Sequence, residues 1–361
     1  MDELIKNRDL QKLDKLDLLD MTFSQMEQYF SSIGEASFRA KQLFRWIYKN
    51  ETFSFLEMTD LSKSLRAKLE EQAFITQLKL GERQISKDGT QKLLFELHDK
   101  KQVECVLIPD GKRVTLCISS QVGCALGCRF CYTATMGAGR DLSVAEYMGQ
   151  FLGASALLED EQRITNVVFM GMGEPLLNFD NLIQTLSIMT DKQGLALASR
   201  RLTVSTAGIC PKIEQLAEVM PIRLAISLHA TTDAQRDELM PINKRYNIKR
   251  LFESLEKFRV IQDNHRLPIT LEYILMDGIN DTDDDAKRLL KLARKVQGKI
   301  NLIPYNEHDG APYKRPSKQK IEHFHQLLQR TAVRATKRTT RGEDISAACG
   351  QLAIASKTNK K

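Results

Sequence analysis

Three cysteines lie within eight positions of this chain and form its clearest arrangement for chemistry. Cys124, Cys128 and Cys131 follow a C-x3-C-x2-C pattern in the run Cys-Ala-Leu-Gly-Cys-Arg-Phe-Cys. Three thiolates on one short loop can each bind an iron of a cubane cluster. Because the run offers no fourth cysteine, one iron stays open to a small molecule. The pattern therefore predicts an iron–sulfur cluster that binds a substrate and also passes an electron.

A structural zinc site is the alternative interpretation of these cysteines. Such sites normally take four ligands, commonly as two C-x2-C pairs. The chain has seven cysteines, and the other four are scattered singly at positions 105, 117, 210 and 349. Since no partner pair exists, the spacing favours the open cluster.

Short runs of strand-forming residues alternate with helical stretches from about residue 90 onward. Helical stretches include 142–158 and 283–297, and the runs that predict strands are 114–118, 166–170, 202–205, 223–228, 270–275 and 300–304. This alternation predicts parallel β/α units of an α/β fold, closed or partly closed into a barrel. The chemistry of such barrels lies at the C-terminal ends of the strands. The cysteine run follows the first predicted strand, as that rule requires.

The first ninety residues have a helical pattern instead. Apolar side chains recur with the spacing of one helix face at Ala40, Leu43, Phe44, Ile47 and Tyr48. We predict a helical accessory domain and linker over residues 1–90 and a catalytic domain over residues 91–361. Positive charges flank the apolar face, so the accessory domain is either a small helical domain with a solvated surface or a docking module for RNA.

Composition and charge place the chain among globular proteins, with 42% hydrophobic and 27% charged residues. The net charge of +7 favours a polyanionic partner, although a solvated surface alone could account for it. No apolar run approaches the roughly 18 residues that span a bilayer. The N-terminal Met-Asp-Glu-Leu-Ile-Lys lacks the apolar core of a signal peptide. We expect a cytoplasmic protein with no membrane partner, in which clustered thiols stay reduced and act as ligands or catalysts.

The cysteine run resembles the signature of the radical-SAM superfamily, whose members bind S-adenosyl-L-methionine (SAM) at a [4Fe-4S] cluster. The segment Gly171-Met172-Gly173-Glu174-Pro175 is similar to the superfamily's glycine–glutamate motif for the methionine end of SAM. Its glycines expose backbone groups, and Glu174 can accept a hydrogen bond from an ammonium. The resemblance implies a partial (β/α)6 barrel with a small N-terminal helical accessory domain, and both cofactors.

Two distant segments narrow the resemblance to the RlmN/Cfr family of RNA adenosine methyltransferases, over nearly the whole chain. They contain Cys117, in Leu-Cys-Ile-Ser-Ser-Gln-Val-Gly-Cys, and Cys349, in Ala-Ala-Cys-Gly-Gln-Leu. The family implies that one SAM methylates Cys349 and that a radical from a second SAM activates the S-methyl group to add to adenine. Cys117 would assist proton removal and release the product through a transient disulfide with Cys349. Either cysteine alone would more often be a buried structural thiol.

The same resemblance assigns further residues to the site. Glu104 is similar to a position that acts as a proton acceptor, a role for which Cys117 competes. Contacts to SAM are implied for Gly173, Glu174, Ser205, Ser227, Leu228, His229 and Asn306. The segments 174–180 and 306–317 resemble the branch that methylates carbon 2 of adenine in large-subunit ribosomal RNA. Methylation at carbon 8 of the same adenosine is the alternative.

An RNA substrate fits several basic pairs, at positions 200–201, 244–245, 249–250 and 337–338, although each alone is more often a solvated face. The expected partners are ribosomal RNA and an electron donor such as flavodoxin, and transfer RNA stays open as a second substrate. Two other interpretations remain. A radical-SAM enzyme acting on a protein or small molecule would not need Cys117 and Cys349. A non-catalytic RNA-binding protein would hold zinc and cleave no SAM.

Overall fold

The computed structural model describes residues 15–265, 267–308 and 312–353. The N-terminal hexapeptide, on which the expected lack of a signal peptide rests, lies outside these residues. No helix in the described ranges is long and apolar enough to cross a membrane.

The N-terminal part is built from three helices: α1 (Phe23–Ser32), α2 (Phe38–Tyr48) and α3 (Lys63–Gln72). The short strands β1 (Leu16–Asp17) and β2 (Ala73–Phe74) pair in parallel and tie the two ends of this part together. The apolar face predicted on α2 is buried along its length. That prediction from helical spacing is therefore confirmed.

The helical part packs directly on the helices of the β/α units. The ring of Phe44 lies so close to Gly194 that a Cβ there would come within 2.6 Å of it. The backbone N–H of Ala145 donates to Oδ1 of Asp20 at 2.6 Å. Because apolar packing and buried hydrogen bonds both cross this boundary, the helices are held in a fixed position beside the sheet.

Three antiparallel strands follow and begin the main sheet: β3 (Lys79–Ile85), β4 (Gln91–Glu96) and β5 (Gln102–Asp110). The sequence patterns predicted none of these three strands. Most side chains of β3 are exposed and leave no apolar alternation to detect, whereas β5 was missed although much of it is buried. The predicted domain boundary between residues 90 and 91 falls where β4 begins. The division into two domains stays a prediction.

The six strands expected from the sequence are all present and lie parallel and adjacent in chain order. They are β6 (Arg113–Cys117), β7 (Arg163–Phe169), β8 (Leu202–Thr206), β9 (Arg223–Ser227), β10 (Ile269–Leu275) and β11 (Lys299–Pro304). A short β12 (Ala335–Lys337) extends the same order, so that β3 and β12 form the two edges. This is the predicted α/β fold with a partial (β/α)6 barrel and an N-terminal accessory part.

Helices connect the parallel strands. They are α4 (Val144–Ser155), α5 (Phe179–Thr190), α6 (Cys210–Val219), α7 (Asp233–Leu239), α8 (Ile248–Ile261), α9 (Asp283–Lys295) and α10 (Lys318–Gln329). Helices α4 and α9, both predicted, each begin with a capping box, formed by Ser143 with Glu146 and by Thr282 with Asp285. Parallel order places the C-terminal ends of all six strands at one end of the sheet, where the predicted site residues lie.

Candidate active site

The cysteine loop leaves β6 and is held by very close backbone packing. Gly123 has φ +83°, and a Cβ there would lie 2.5 Å from the carbonyl oxygen of Gly137. The backbone N–H of Cys124 donates to that same oxygen at 2.9 Å. Within the loop, the N–H of Cys131 donates to the carbonyl of Cys128 at 3.1 Å. The loop geometry therefore depends on glycine at position 123 and brings the three thiols to one side.

The three cysteines line a cavity of about 850 Å³ at the C-terminal ends of the strands, called here the main cavity. The same walls carry most of the residues predicted to contact SAM: Gly173, Glu174, Ser205, Ser227 and His229. Cys349 reaches the main cavity from the C-terminal segment. The structure thus brings residues from the loops and ends of four strands around one space.

Two residues predicted to contact SAM lie outside the walls of the main cavity. Leu228 is fully buried, and its backbone N–H donates to the carbonyl of Glu272 at 3.1 Å. Asn306 borders a small neighbouring cavity, where its Nδ2 donates to the carbonyl of Cys349 at 3.3 Å. Their roles as SAM contacts stay predictions.

The thiols of the loop suit a cationic cluster. Burial raises the pKa of Cys124 to about 11, and burial followed by the neighbouring thiols also raises the pKa of Cys128. Such thiols ionise only when a metal compensates their charge. A cubane cluster takes one thiolate on each of three irons, so three thiols on one loop are a donor set that fits the cluster.

Glu174 is fixed at the wall of the main cavity by backbone hydrogen bonds. Its Oε2 accepts from the N–H of Ala207 at 2.7 Å, and its Oε1 accepts from the N–H of Leu176 at 3.0 Å. Burial raises the pKa of this carboxyl to about 7. A cationic ammonium bound beside it would favour the ionised form. The two backbone hydrogen bonds therefore fix the carboxylate in an orientation in which it can bind an ammonium group.

His229 is buried in the wall with a left-handed backbone, φ +54°. Its Nδ1 accepts a hydrogen bond from the N–H of Ile274 at 3.1 Å. Burial, and then the nearby Arg236 guanidinium, lower the pKa of this imidazole to about 3. His229 is consequently neutral and carries its proton on Nε2, while Phe130 packs edge-on against the ring at 4.8 Å.

Cys117 and Cys349 line a second, smaller space of about 430 Å³, called here the cysteine cavity, together with Cys131. The C-terminal segment is docked on the cysteine loop, since the N–H of Tyr132 donates to the carbonyl of Gly350 at 2.7 Å. Burial raises the pKa of the Cys117 thiol to about 12, and the neighbouring Cys349 contributes to the rise. The two cysteines that the family resemblance singled out therefore meet beside the loop.

Glu104 lies apart from these cavities, on strand β5. Its carboxylate pairs with the Lys92 ammonium at 3.3 Å, and its Oε2 is buried without a hydrogen-bond partner within the described part of the chain. Burial raises its pKa, and the Lys92 charge opposes that rise. The side chain borders neither the main cavity nor the cysteine cavity. Its role as proton acceptor stays a prediction.

Two charged residues of the main cavity were not singled out from the sequence. Glu272 on β10 is buried and accepts from Nδ2 of Asn301 at 2.7 Å. Arg338 directly follows β12 and borders both the main cavity and the cysteine cavity. A carboxylate in the middle of an otherwise apolar strand was a signal for Glu272. Arg338 gave none beyond its membership of the basic pair Lys337-Arg338.

Comparison with known proteins agrees with this geometry. Residues 16–75 match the profile described as "Ribosomal RNA large subunit methyltransferase N-terminal domain". Residues 118–293 match the radical SAM superfamily, and membership of it implies a [4Fe-4S] cluster and SAM. The first match covers the N-terminal helices, and the second begins at the cysteine loop.

Individual relatives cover nearly the whole chain. A "Dual-specificity RNA methyltransferase RlmN" of Geotalea uraniireducens (strain Rf4) is 45% identical over 94% of this chain and 97% of its own length. A protein of the same name from Pelobacter propionicus is 47% identical over 94% of this chain and 96% of its own length. The crystal structure of a radical SAM methyltransferase from Sphaerobacter thermophilus superposes with a TM-score of 0.88 at 39% identity. That superposition covers 93% of this chain and 98% of the other.

Proposed function

Because the chain belongs to the RlmN family of radical-SAM RNA methyltransferases, we propose that it methylates carbon 2 of an adenosine in large-subunit ribosomal RNA. The observation that carries the proposal is the shared cavity of Cys117 and Cys349 beside the cysteine loop. A radical-SAM enzyme for a protein or small molecule would have no need for two such thiols. Carbon 2 is preferred over carbon 8 because the segments 174–180 and 306–317 resemble the carbon 2 branch.

The residues of the main cavity would hold the cofactors. Cys124, Cys128 and Cys131 would bind a [4Fe-4S] cluster through their thiolates. The Glu174 carboxylate would accept a hydrogen bond from the ammonium of SAM. The other residues proposed to contact SAM are Gly173, Ser205, Ser227, Leu228, His229 and Asn306. When bound, the cluster and SAM supply a one-electron cleavage that yields a carbon-centred radical.

Cys117 and Cys349 divide the methyl transfer between them. Cys349 takes the methyl group of SAM, forming a new sulfur–carbon bond as the sulfonium bond breaks. Hydrogen removal from that S-methyl group by the SAM-derived radical would leave a carbon radical that adds to the adenine ring, and the ring adduct would then lose one electron to the oxidised cluster. Deprotonated Cys117 would attack the sulfur of Cys349, so that a disulfide forms, the sulfur–carbon bond breaks and the released carbon takes up a proton to become the methyl group of the product. Removal of the ring proton falls to Cys117 in this scheme, with Glu104 as the competing base.

Substrate and partners extend the proposal. The relatives are named dual-specificity enzymes, and we propose transfer RNA as the second substrate. The electron would come from a small redox protein such as flavodoxin. The reduced thiols that the scheme requires support a cytoplasmic location.

Mass spectrometry of ribosomal RNA tests the proposal. Cells lacking the protein are complemented with the wild type, Cys349→Ala or Cys210→Ala, since Cys210 is buried in α6 away from both cavities. We expect 2-methyladenosine to be lost in the deletion strain and restored by the wild type and Cys210→Ala only. Unchanged 2-methyladenosine would overturn the substrate, and 8-methyladenosine in its place would support the carbon 8 alternative.

A further inference from the structure

Arg338 stands where several cavities meet. It borders the main cavity, the cysteine cavity, the small cavity of Asn306 and a wide surface groove of about 1200 Å³, called here the outer groove. Its backbone N–H donates to the carbonyl of Leu302 at 2.8 Å and fixes the residue beside β11. Arg338 therefore lines both the outer groove and the cavities that Cys349 borders.

The guanidinium of Arg338 has no ion pair and no side-chain hydrogen bond within the described ranges. Its electrostatic neighbours are the Cys349 thiol and the Glu272 carboxylate, which raise its pKa although burial opposes the rise. A partly buried guanidinium without a bonded partner keeps its planar set of donors available for an incoming anion.

The outer groove itself is lined largely by donors. Two of its cations are paired with carboxylates: Arg315 with Glu343 at 3.0 Å, and Lys337 with Glu322 at 2.6 Å. Two others, Lys318 and Arg338, have no carboxylate partner in the described part of the chain, and Thr339 and Thr340 line the same groove. Arginine, lysine and threonine side chains are the groups that contact nucleic-acid phosphates.

We propose that the outer groove admits the RNA strand carrying the target adenosine and that Arg338 binds a phosphate next to that nucleotide. The inference rests on the proposed function and adds a positioning residue to it. The adenosine must leave its stack to reach Cys349. A phosphate held on the groove side of Arg338 would place the attached base on the inner side, towards the cysteine cavity.

Binding of a short RNA hairpin to the cluster-loaded protein at several salt concentrations tests the proposal. Loss of one phosphate contact makes the slope of log affinity against log salt less negative by about 0.7 for single-stranded RNA. We expect this change for Arg338→Gln, and a smaller one for Lys318→Gln at the same groove. Arg334→Gln is the matched control, because Arg334 is an exposed arginine at the opposite end of β12, and its slope should equal that of the wild type.

A second experiment replaces the phosphates that flank the adenosine, one at a time, with a neutral methylphosphonate. One such substitution should weaken binding to the wild type and leave binding to Arg338→Gln unchanged, because the contact is already lost. Arg338→Lys keeps the charge, so it should retain the slope with weaker affinity. Arg338→Met also removes the charge, and it replaces the glutamine variant if that variant fails to fold. Equal sensitivity of the wild type and Arg338→Gln to every methylphosphonate would overturn the proposal. It would also be overturned if Arg338→Gln bound RNA as the wild type does and only its cluster were reduced more slowly.

The same samples separate this proposal from the proposed function. If the wild type forms no 2-methyladenosine in the hairpin while the salt slope and the methylphosphonate effect depend on Arg338, the reaction assignment fails and the phosphate site stands. If 2-methyladenosine forms at equal rates and affinities in the wild type and Arg338→Gln, the phosphate site fails and the reaction stands.

Discussion

Cys117, the last residue of β6, and Cys349, in the C-terminal segment, line the same cavity of about 430 Å³. The Cys117 thiol, with a pKa raised to about 12 by burial and then by Cys349, stays protonated near neutral pH. A protonated thiol is a poor nucleophile. Cys117 must therefore pass its proton to a neighbouring group before it can remove the ring proton or attack the sulfur of Cys349.

Replacement of Cys117 by alanine should trap the RNA on the protein. Without the second thiol, the bond between Cys349 and the methylated base has no resolving nucleophile. We expect a covalent adduct that survives denaturing electrophoresis, and at least about a 100-fold fall in product formation, since a proton-transfer group is also lost. Cys105→Ala is the matched control, because Cys105 is equally buried on the adjacent strand and borders neither cavity. Normal turnover by Cys117→Ala would contradict the scheme.

Gly173→Ala should destabilise the wall of the main cavity. Gly173 has φ +96°, and a Cβ there would come within 2.7 Å of atoms of Ser120 and Gln121. Crowding of this kind costs about 1–3 kcal/mol, and the left-handed backbone adds about 1–2 kcal/mol. Gly111→Ala carries only the backbone cost, because Gly111 has φ +61° and open space around it. Urea unfolding of both variants should therefore show the larger loss for Gly173, and equal losses would refute the crowding argument.

Phe44→Ala should weaken the whole molecule and not only the N-terminal helices. Phe44 is fully buried, packs against Phe23 and Tyr48, and contacts Gly194 beyond the helical part. Loss of such a ring costs about 3–5 kcal/mol. Phe38→Ala, on the same helix with a ring 57% exposed, should change the unfolding free energy by about 0.5 kcal/mol or less. Thermal unfolding followed by circular dichroism measures both, and similar melting temperatures for the two variants would contradict the packing.

The sequence predicts the parallel strands well because each is a short apolar run that becomes buried on both faces. The burial of all seven residues of β10 illustrates this pattern. Strand β3 was missed because its exposed side chains leave no apolar run to detect. Strand β5 was missed although five of its residues are buried, so burial alone does not make a strand recognisable from the sequence.

The site also contains residues that the sequence predicted and residues that it did not. Residues within one short run, such as Cys124 with Cys128 or Glu174 with Gly173, carry recognisable spacing and were predicted to belong to the site. The positions of Glu272 and Arg338 depend on the register of β10 and on the path of the chain after β12. A carboxylate within an apolar strand marks Glu272 as unusual but does not say which cavity it borders, and Arg338 leaves no local pattern, so both positions could be found only in the folded structure.

His229 should remain neutral with its proton on Nε2 from pH 8 down to pH 5. Its pKa of about 3 lies below the ordinary value of 6.5. Between these two pKa values His229 is protonated in the unfolded chain but not in the folded protein, so the unfolding free energy falls as the pH falls. From pH 7.5 to pH 5 this amounts to about 2 kcal/mol.

His229→Asn should remove that share of the pH dependence, and asparagine tolerates the left-handed backbone at this position. His323→Asn is the control, because His323 is exposed beside Asp283. Nitrogen-15 spectra of the imidazole groups report the tautomer directly. A His229 resonance that titrates near pH 6.5, or a variant whose unfolding free energy keeps the wild-type pH profile, would show that the ring is solvated and not held by the N–H of Ile274.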